Sequence, residues 1–195
     1  MNAAVAPEPT RSSRLSAATD AFHQHLHTLV AAASPFDDRR RFGKFAAVQY
    51  LFQQEIESLY RRASLQALVP NLAARSRLGA VAAGLADLGI VPPQAEGGSV
   101  ATVGDHAALG WLFVSEGSTL GAAILLKRAE ALGLSDTFGA RYLAAAPEGR
   151  ARHWKAFVEA LDGLDLTPAQ DAEVTAGADA AFRRFAALIT REFAL

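Results

Sequence analysis

The segment that most constrains the fold runs from residue 110 to residue 133, with the sequence GWLFVSEGSTLGAAILLKRAEALG. Its apolar residues recur with a helical period, and two cations lie near its C-terminal end, where they suit the helix dipole. Gly117 and Gly121 interrupt this helix four residues apart on one face. Each interior glycine costs about 1 kcal/mol relative to alanine. Because glycines let a backbone approach its neighbour closely, this face is expected to meet either another helix or a flat ligand.

The rest of the chain also carries helical patterns, and no segment shows sustained strand alternation. The 195 residues suit one domain with a buried core. We therefore predict an all-α fold of six to eight helices over residues 14–195, after a disordered lead at residues 1–13. The expected helices besides the central one span residues 15–33, 38–63, 71–89, 136–145, 147–161 and 168 to the C-terminus.

Local signals mark several of these boundaries. Asn71 is a candidate N-cap, and Thr167 with Gln170 forms a capping box ahead of the last helix. The connection at residues 90–105, IVPPQAEGGSVATVGD, is long for a compact domain and predicts a functional flap. The cations at residues 39, 40 and 44 begin a helix, where the dipole disfavours them, so they are either simply solvated or have a specific task.

Composition excludes several classes of function. The net charge of −1 gives no electrostatic reason to bind nucleic acid or an anionic membrane. The absence of cysteine excludes disulfides, thiolate nucleophiles and cysteine-bound metals, so histidine or carboxylates must hold any metal. The sequence has neither a signal-peptide core nor 18 consecutive apolar residues, and a cytoplasmic location is expected.

Three histidines on the first predicted helix are the main candidates for chemistry. His23 and His25 flank its apolar face on opposite sides, and periodicity does not choose between them. His23 and His27 also form an i, i+4 pair that could hold a metal, but no adjacent carboxylate completes such a site. Each could equally be a boundary residue with satisfied hydrogen bonds. A histidine on one helix and a bare glycine face on another together describe a haem site, with a nitrogen ligand on one side and room for oxygen on the other.

The sequence resembles the bacterial, pseudomonad-type biliverdin-producing haem oxygenases. AATDAFHQHLHTLV is similar to their proximal helix, and GWLFVSEGSTLGAAILLKRA to their distal helix. Further similarity lies in FAAVQYLFQQEIESLYRR, DTFGARYL and AFRRF, so that the likeness covers nearly the whole chain from about residue 15. It implies a helical fold that holds haem, with its iron, between the two helices as both cofactor and substrate.

The resemblance also implies roles for individual residues. His23 would be the proximal iron ligand, preceded by Thr19, and Gly117 and Gly121 would form the distal wall. Ser118 lies where mammalian-type enzymes have a distal aspartate, so proton delivery here is expected to use backbone and water. Two aromatic residues, Phe113 and Phe182, are expected to touch the porphyrin edge, or else to be ordinary core residues. Three cations are expected near the haem propionates: Arg128 is the first choice, followed by Lys127 and Lys155.

Two positions depart from the family pattern. His27 stands where a glutamate usually accepts from the proximal histidine, and Ala31 stands where a lysine is usual. The implied activity is cleavage of haem to biliverdin, carbon monoxide and ferrous iron. Electrons would come from a separate ferredoxin or flavin reductase, because the chain has no flavin or nicotinamide motif. The expected protein is a monomer, and its product could pass to a bilin-accepting protein. The alternative is a haem carrier or sensor without turnover.

Overall fold

The computed structural model describes residues 8–94 and 100–195, and all but short connections of this part are helical. It has seven α-helices and no strand in these ranges, as the all-α prediction requires. Short 3-10 helices lie at Leu72–Arg75, Val100–Thr102 and Arg141–Leu143. The α-helices are α1 (Arg11–Ala33), α2 (Arg39–Arg61), α3 (Ala63–Leu68), α4 (Leu78–Asp87), α5 (Asp105–Glu130), α6 (Arg150–Asp162) and α7 (Pro168–Phe193).

The first helix begins earlier than predicted. Thr10 caps it by accepting from the backbone N–H of Ser13, so the expected lead at residues 1–13 is too long by three residues. Residues 8–10 are not helical, and residues 1–7 lie outside the described part, so the lead stays a prediction there. Arg11 pairs with Asp171 at the start of α7 and donates to the carbonyls of Leu161, in the last turn of α6, and Leu164, just beyond it. These long-range bonds explain why residues that look unstructured in sequence are ordered.

The arginines at the start of α2 have a structural task. Asp38 caps this helix, which begins about where predicted, and Arg39 donates to the carbonyls of Leu132 and Gly133, just beyond the C-terminal end of α5. Arg41 donates to the carbonyl of Ser34 at the end of α1, 3.0 Å away, and to that of Ala33. Cations thus satisfy the carbonyls that helix ends leave without partners.

The central packing contact joins α5 and α7 through glycines that sequence patterns did not single out. A methyl group at Gly177 would lie 1.9 Å from the carbonyl oxygen of Ala107, and one at Gly110 would lie 2.0 Å from that of Val174. Only residues without a Cβ allow the backbones to come this close. The α5–α7 crossing therefore fixes the spacing of the two longest helices.

By length and composition α5 could cross a membrane. In the structure it packs instead against α6 and α7, and it buries the side chain of Glu116. A buried core helix satisfies the same criteria of length and hydropathy.

Two predicted helices differ from the structure. Residues 136–145 form a turn and a 3-10 helix rather than an α-helix, because Gly139 has a left-handed φ of 75° and hydrogen bonds close the loop at Ser135. Asn71 is also left-handed, with φ of 56°, and makes no side-chain cap. The segment expected from residue 71 is a 3-10 helix followed by α4. The predicted flap at residues 90–105 lies partly outside the described residues and stays a prediction.

Candidate functional site

His23 lies in the middle of α1 on the side that faces α7. Its ring centroid is 6.2 Å from that of Phe182, in an edge-to-face arrangement. The residue remains exposed to solvent, so its imidazole is accessible. Partial burial and then the neighbouring His27 lower the pKa of His23. A neutral imidazole is the form that binds a metal, and His23 is in that form at neutral pH.

Three other residues of α1 were predicted to lie near His23 or to compete with it for a ligand role. The ring of His27 lies edge-on to His23 with a centroid distance of 4.5 Å, one helical turn away. Thr19 is buried and donates to the carbonyl of Leu15 at 2.8 Å, so its hydroxyl is used within the helix. His25 is exposed. Among the described residues, no group of three or more histidines and carboxylates could hold a metal ion. The pair of His23 and His27 is therefore not completed into a protein-only metal site.

The glycine face of α5 points mainly to open space. A methyl group at Gly121 would meet nothing within 4 Å, and one at Gly117 would reach only the indole of Trp154, at an ordinary 3.5 Å. Leu120 and Ile124 lie on the same face and are 45% and 70% exposed. Close helix packing uses Gly110 and Gly177 instead. Within the described residues no other helix backbone lies close to these two glycines, so a flat ligand is still a prediction for this face.

The two predicted aromatic contacts have different surroundings. Phe182 of α7 borders His23 and is nearly buried. Phe113 is a core residue whose ring lies 5.3 Å from that of Trp154, which in turn stacks on Phe157. Phe182 is therefore next to the ligand candidate, whereas Phe113 supports the helix that carries the glycines.

The three predicted propionate partners are not equivalent. Arg128 lies two turns beyond Gly121 on the same face of α5, and its guanidinium carbon is 4.4 Å from the centroid of the Phe36 ring. Lys127 is exposed at the edge of this face, two turns beyond Leu120. Lys155 is on α6, 72% exposed, and its Nζ is 3.5 Å from a carboxylate oxygen of Glu159. Of the three, Arg128 lies closest to the line of the two glycines.

Ser118 belongs to a polar group at the edge of this face. Its hydroxyl donates to the carbonyl of Ser115 at 2.6 Å and accepts from Arg77 at 2.8 Å. The amide nitrogen of Gln53 donates to the buried hydroxyl of Ser115. The amide oxygen of Gln53 and Nε of Arg77 are buried without a hydrogen-bond partner within the described ranges. Such atoms are suitable partners for ordered water.

A buried ion cluster on the back of α5 was missed by sequence reasoning. The carboxylate of Glu116 accepts from Arg75 at 2.8 Å and from the hydroxyl of Tyr60 at 2.9 Å, and it lies 3.1 Å from Nε2 of His153. Burial raises the pKa of Glu116, but the bond from His153 and the nearby arginines outweigh it and hold the pKa below its ordinary value. The signal was a glutamate within the apolar run WLFVSEG, where a solvent-facing residue is not expected.

This arrangement fits haem better than a bare metal ion. It offers an accessible neutral imidazole beside an aromatic ring on α1 and α7, and an exposed apolar face with a bare backbone on α5. Both α1 and α5 pack against α7, which links the two halves. A flat apolar macrocycle with one axial nitrogen ligand and anionic edge groups matches these features.

Comparison with known proteins agrees with this reading. The family model described as heme oxygenase matches residues 10–191. Heme oxygenase PigA of Pseudomonas aeruginosa is 48% identical over 97% of this chain and 98% of its own length.

Two solved structures share the fold. A haem oxygenase from Neisseria meningitidis, studied with NO and CO bound, superposes with a TM-score of 0.92 at 38% identity, covering 96% of this chain and 94% of its own. A haem oxygenase from Leptospira interrogans shares the fold alone, with a TM-score of 0.79 at 15% identity over 94% of this chain and 100% of its own. The match to the family model and the identity to PigA together show that this chain is a member of the haem oxygenase family.

Proposed function

We propose that this enzyme binds haem between α1 and α5 and cleaves it, with dioxygen and externally supplied electrons, to biliverdin, carbon monoxide and ferrous iron. The observation that carries the proposal is the pairing of an accessible, neutral His23 with a glycine face on α5 that, among the described residues, meets only the indole of Trp154. Haem supplies the iron that activates oxygen and the ring that is opened. The residues of the chain bind and orient the haem, exclude water and provide protons.

On the proximal side, His23 is the proposed axial ligand. Thr19 is bonded to its own helix and packs inward, which holds this turn of α1 in place. His27 lies edge-on to His23 one helical turn away, and we expect it to act as the hydrogen-bond acceptor for the other ring nitrogen of His23. A neutral acceptor adds no negative charge, so His23 is expected to donate less electron density than a histidine paired with a carboxylate. Phe182 limits rotation of the ring from the side of α7.

On the distal side, Gly117 and Gly121 leave the backbone of α5 bare. A small diatomic molecule fits there, and no side chain at these two positions competes for the space. Leu120 and Ile124 offer apolar surface for the face of the macrocycle, which would cover them from solvent. Ser118 holds its hydroxyl between Arg77 and the backbone, close to buried polar atoms that suit water, and the proposed proton supply runs through this group.

Arg128 is the proposed propionate partner of first choice, since it lies on the same face of α5 as Gly121 and is free of carboxylate ion pairs in the described structure. Lys127 is a weaker candidate because it lies at the edge of this face, and Lys155 is weaker because it is on α6 beside Glu159. Electrons would come from a ferredoxin or a flavin reductase, and a bilin-accepting protein could take the product. Cytoplasmic location and a monomeric state belong to the same proposal.

Haem titration and turnover test this function. Wild-type protein with haem should give a sharp Soret band, and with a reductase, reducing equivalents and oxygen it should form biliverdin. His23→Ala should lose the histidine-ligated spectrum, whereas His25→Ala, an exposed histidine on the same helix, should keep it. Unchanged ligation in His23→Ala, or its loss in His25→Ala, would contradict the assignment.

Turnover separates the proposed enzyme from a haem carrier or sensor. A carrier would show the same Soret band and the same dependence on His23 but would release no biliverdin under reducing, aerobic conditions. Chromatography of the product then gives its isomer, which depends on how Arg128 sets the rotation of the haem in its plane.

A further inference from the structure

The buried cluster around Glu116 has no direct part in the binding site described above. Glu116 is only 1% exposed and directly precedes Gly117 in α5. Burying a carboxylate costs several kcal/mol unless its partners compensate, and an apolar side chain of similar size often stabilises a core equally well. Packing alone therefore does not account for a charge at this position.

The partners of Glu116 come from three separate parts of the fold. Tyr60 lies near the end of α2, Arg75 closes the 3-10 helix Leu72–Arg75, and His153 is on α6. The carboxylate thus ties one turn of α5 to three neighbouring elements. Each bond has good geometry, with distances of 2.8 to 3.1 Å.

His153 extends this cluster to the surface. Its Nδ1 lies 2.8 Å from a carboxylate oxygen of Glu148, which is 41% exposed. The hydrogen bond to Glu116 raises the pKa of His153, while burial opposes the change and Glu148 reinforces it. In its protonated form, the ring donates to Glu116 through Nε2 and to Glu148 through Nδ1. A protonated imidazole is also the partner that best compensates the buried carboxylate.

The next residue of α6 contacts the next residue of α5. Trp154 follows His153, and its indole is the group that a methyl at Gly117 would meet, at 3.5 Å. Adjacent residues of α6 therefore hold adjacent residues of α5, one by an ion pair and one by a flat aromatic contact. The position of the backbone at Gly117 depends on both.

We propose that Glu116 is a positioning residue: its bonds to Tyr60, Arg75 and His153 set the height and rotation of the Gly117 backbone relative to the haem. The inference rests on the proposed haem site, because it assigns the opposite side of α5 to the substrate. It predicts that loss of the charge at Glu116 loosens the distal wall without removing the axial ligand.

The test compares Glu116→Gln with Glu55→Gln. Glu55 is 2% exposed and pairs with Arg184 of α7, with an oxygen 2.8 Å from its Nε, so it matches Glu116 in burial and partner but lies on α2. Amide hydrogen exchange of the haem-free protein should rise about tenfold over residues 117–124 in Glu116→Gln and stay unchanged there in Glu55→Gln.

Two readouts on the haem-loaded protein follow. The C–O stretching frequency of the carbon monoxide complex should shift or broaden in Glu116→Gln alone. The turnover rate should fall about tenfold, whereas KM for haem changes by less than about threefold, because His23 is untouched. Equal effects of the two substitutions, or unchanged exchange in Glu116→Gln, would overturn the proposal.

A second variant tests the same proposal in case Glu116→Gln folds poorly. His153→Gln removes a partly exposed partner and should give the same frequency shift in weaker form, and its effect should be non-additive with that of Glu116→Gln. Additive effects would overturn the proposal. If wild-type protein forms no biliverdin, the proposed function fails, while the exchange data still decide whether Glu116 positions α5.

Discussion

Replacing Gly121 by alanine separates stability from function. Gly121 is inside α5, and a methyl group there would meet nothing within 4 Å. Alanine in a helix interior is favoured over glycine by about 1 kcal/mol, so Gly121→Ala should stabilise the haem-free protein by about that amount. For a domain of this size, this corresponds to a rise in Tm of roughly 2–4 °C.

The same methyl group should impair the site, because it occupies the space proposed for the face of the macrocycle. An overpacking cost of about 1–3 kcal/mol corresponds to a loss in haem affinity or turnover of roughly five- to 150-fold. Calorimetry gives Tm, Soret titration gives the haem affinity, and single-turnover assays give the rate of haem cleavage. Gly79→Ala is the matched control, since Gly79 also has open space around its missing Cβ but lies on α4. A destabilised Gly121→Ala protein, or a stabilised one with full haem affinity and turnover, would refute the reasoning.

Three further predictions concern other parts of the molecule. Gly177→Ala puts a methyl 1.9 Å from a backbone oxygen, so α5 and α7 must separate. We expect the free energy of unfolding to fall by about 2 kcal/mol or more, which lowers Tm by roughly 4–8 °C. An unchanged Tm would contradict the close crossing. His27→Glu should strengthen electron donation by His23 and raise the iron–histidine stretching frequency in the Raman spectrum, and an unchanged frequency would count against the contact between these residues. Because the pKa of His153 is raised in the folded state, its contribution to stability is complete below about pH 6.5 and is lost as pH rises through the folded value; chemical denaturation from pH 6 to 9 should show this loss in wild type and not in His153→Gln.

Helical periodicity predicted most of the fold because long amphipathic helices and their caps are local features. The predicted capping box at Thr167 is present, and α2 begins next to Asp38, close to the predicted start. Contacts between distant residues could not be predicted in this way. Arg11 is helical because it reaches Asp171, 160 positions away, and residues 136–145 are not an α-helix because a left-handed Gly139 closes a loop there.

In the candidate site, too, local features could be predicted from the sequence and long-range contacts could not. The sequence identified Gly117 and Gly121 as unusual but left open whether a helix or a ligand accounts for them. Only the structure shows that Gly110 and Gly177 make the close helix contact, whereas Gly117 meets only the indole of Trp154 among the described residues and Gly121 faces open space. The partners of Glu116 lie at positions 60, 75 and 153, so no local pattern could reveal that cluster.

The way in which α1 is attached to the rest of the fold bears on how substrate enters the proposed site and how product leaves it. Arg11 fixes its first turn to the region where α6 ends and α7 begins, and Arg41 fixes its last turn to α2. Between these two anchors the helix contacts α7 on one side and solvent on the other, and His23 lies in this free span. If haem binds as proposed, we therefore expect this rigid disc to enter from the solvent side and the ring-opened product to leave by the same route, while both anchors stay closed. Exchange of substrate for product then requires small displacements in the middle of one helix and leaves the glycine crossing of α5 with α7 undisturbed.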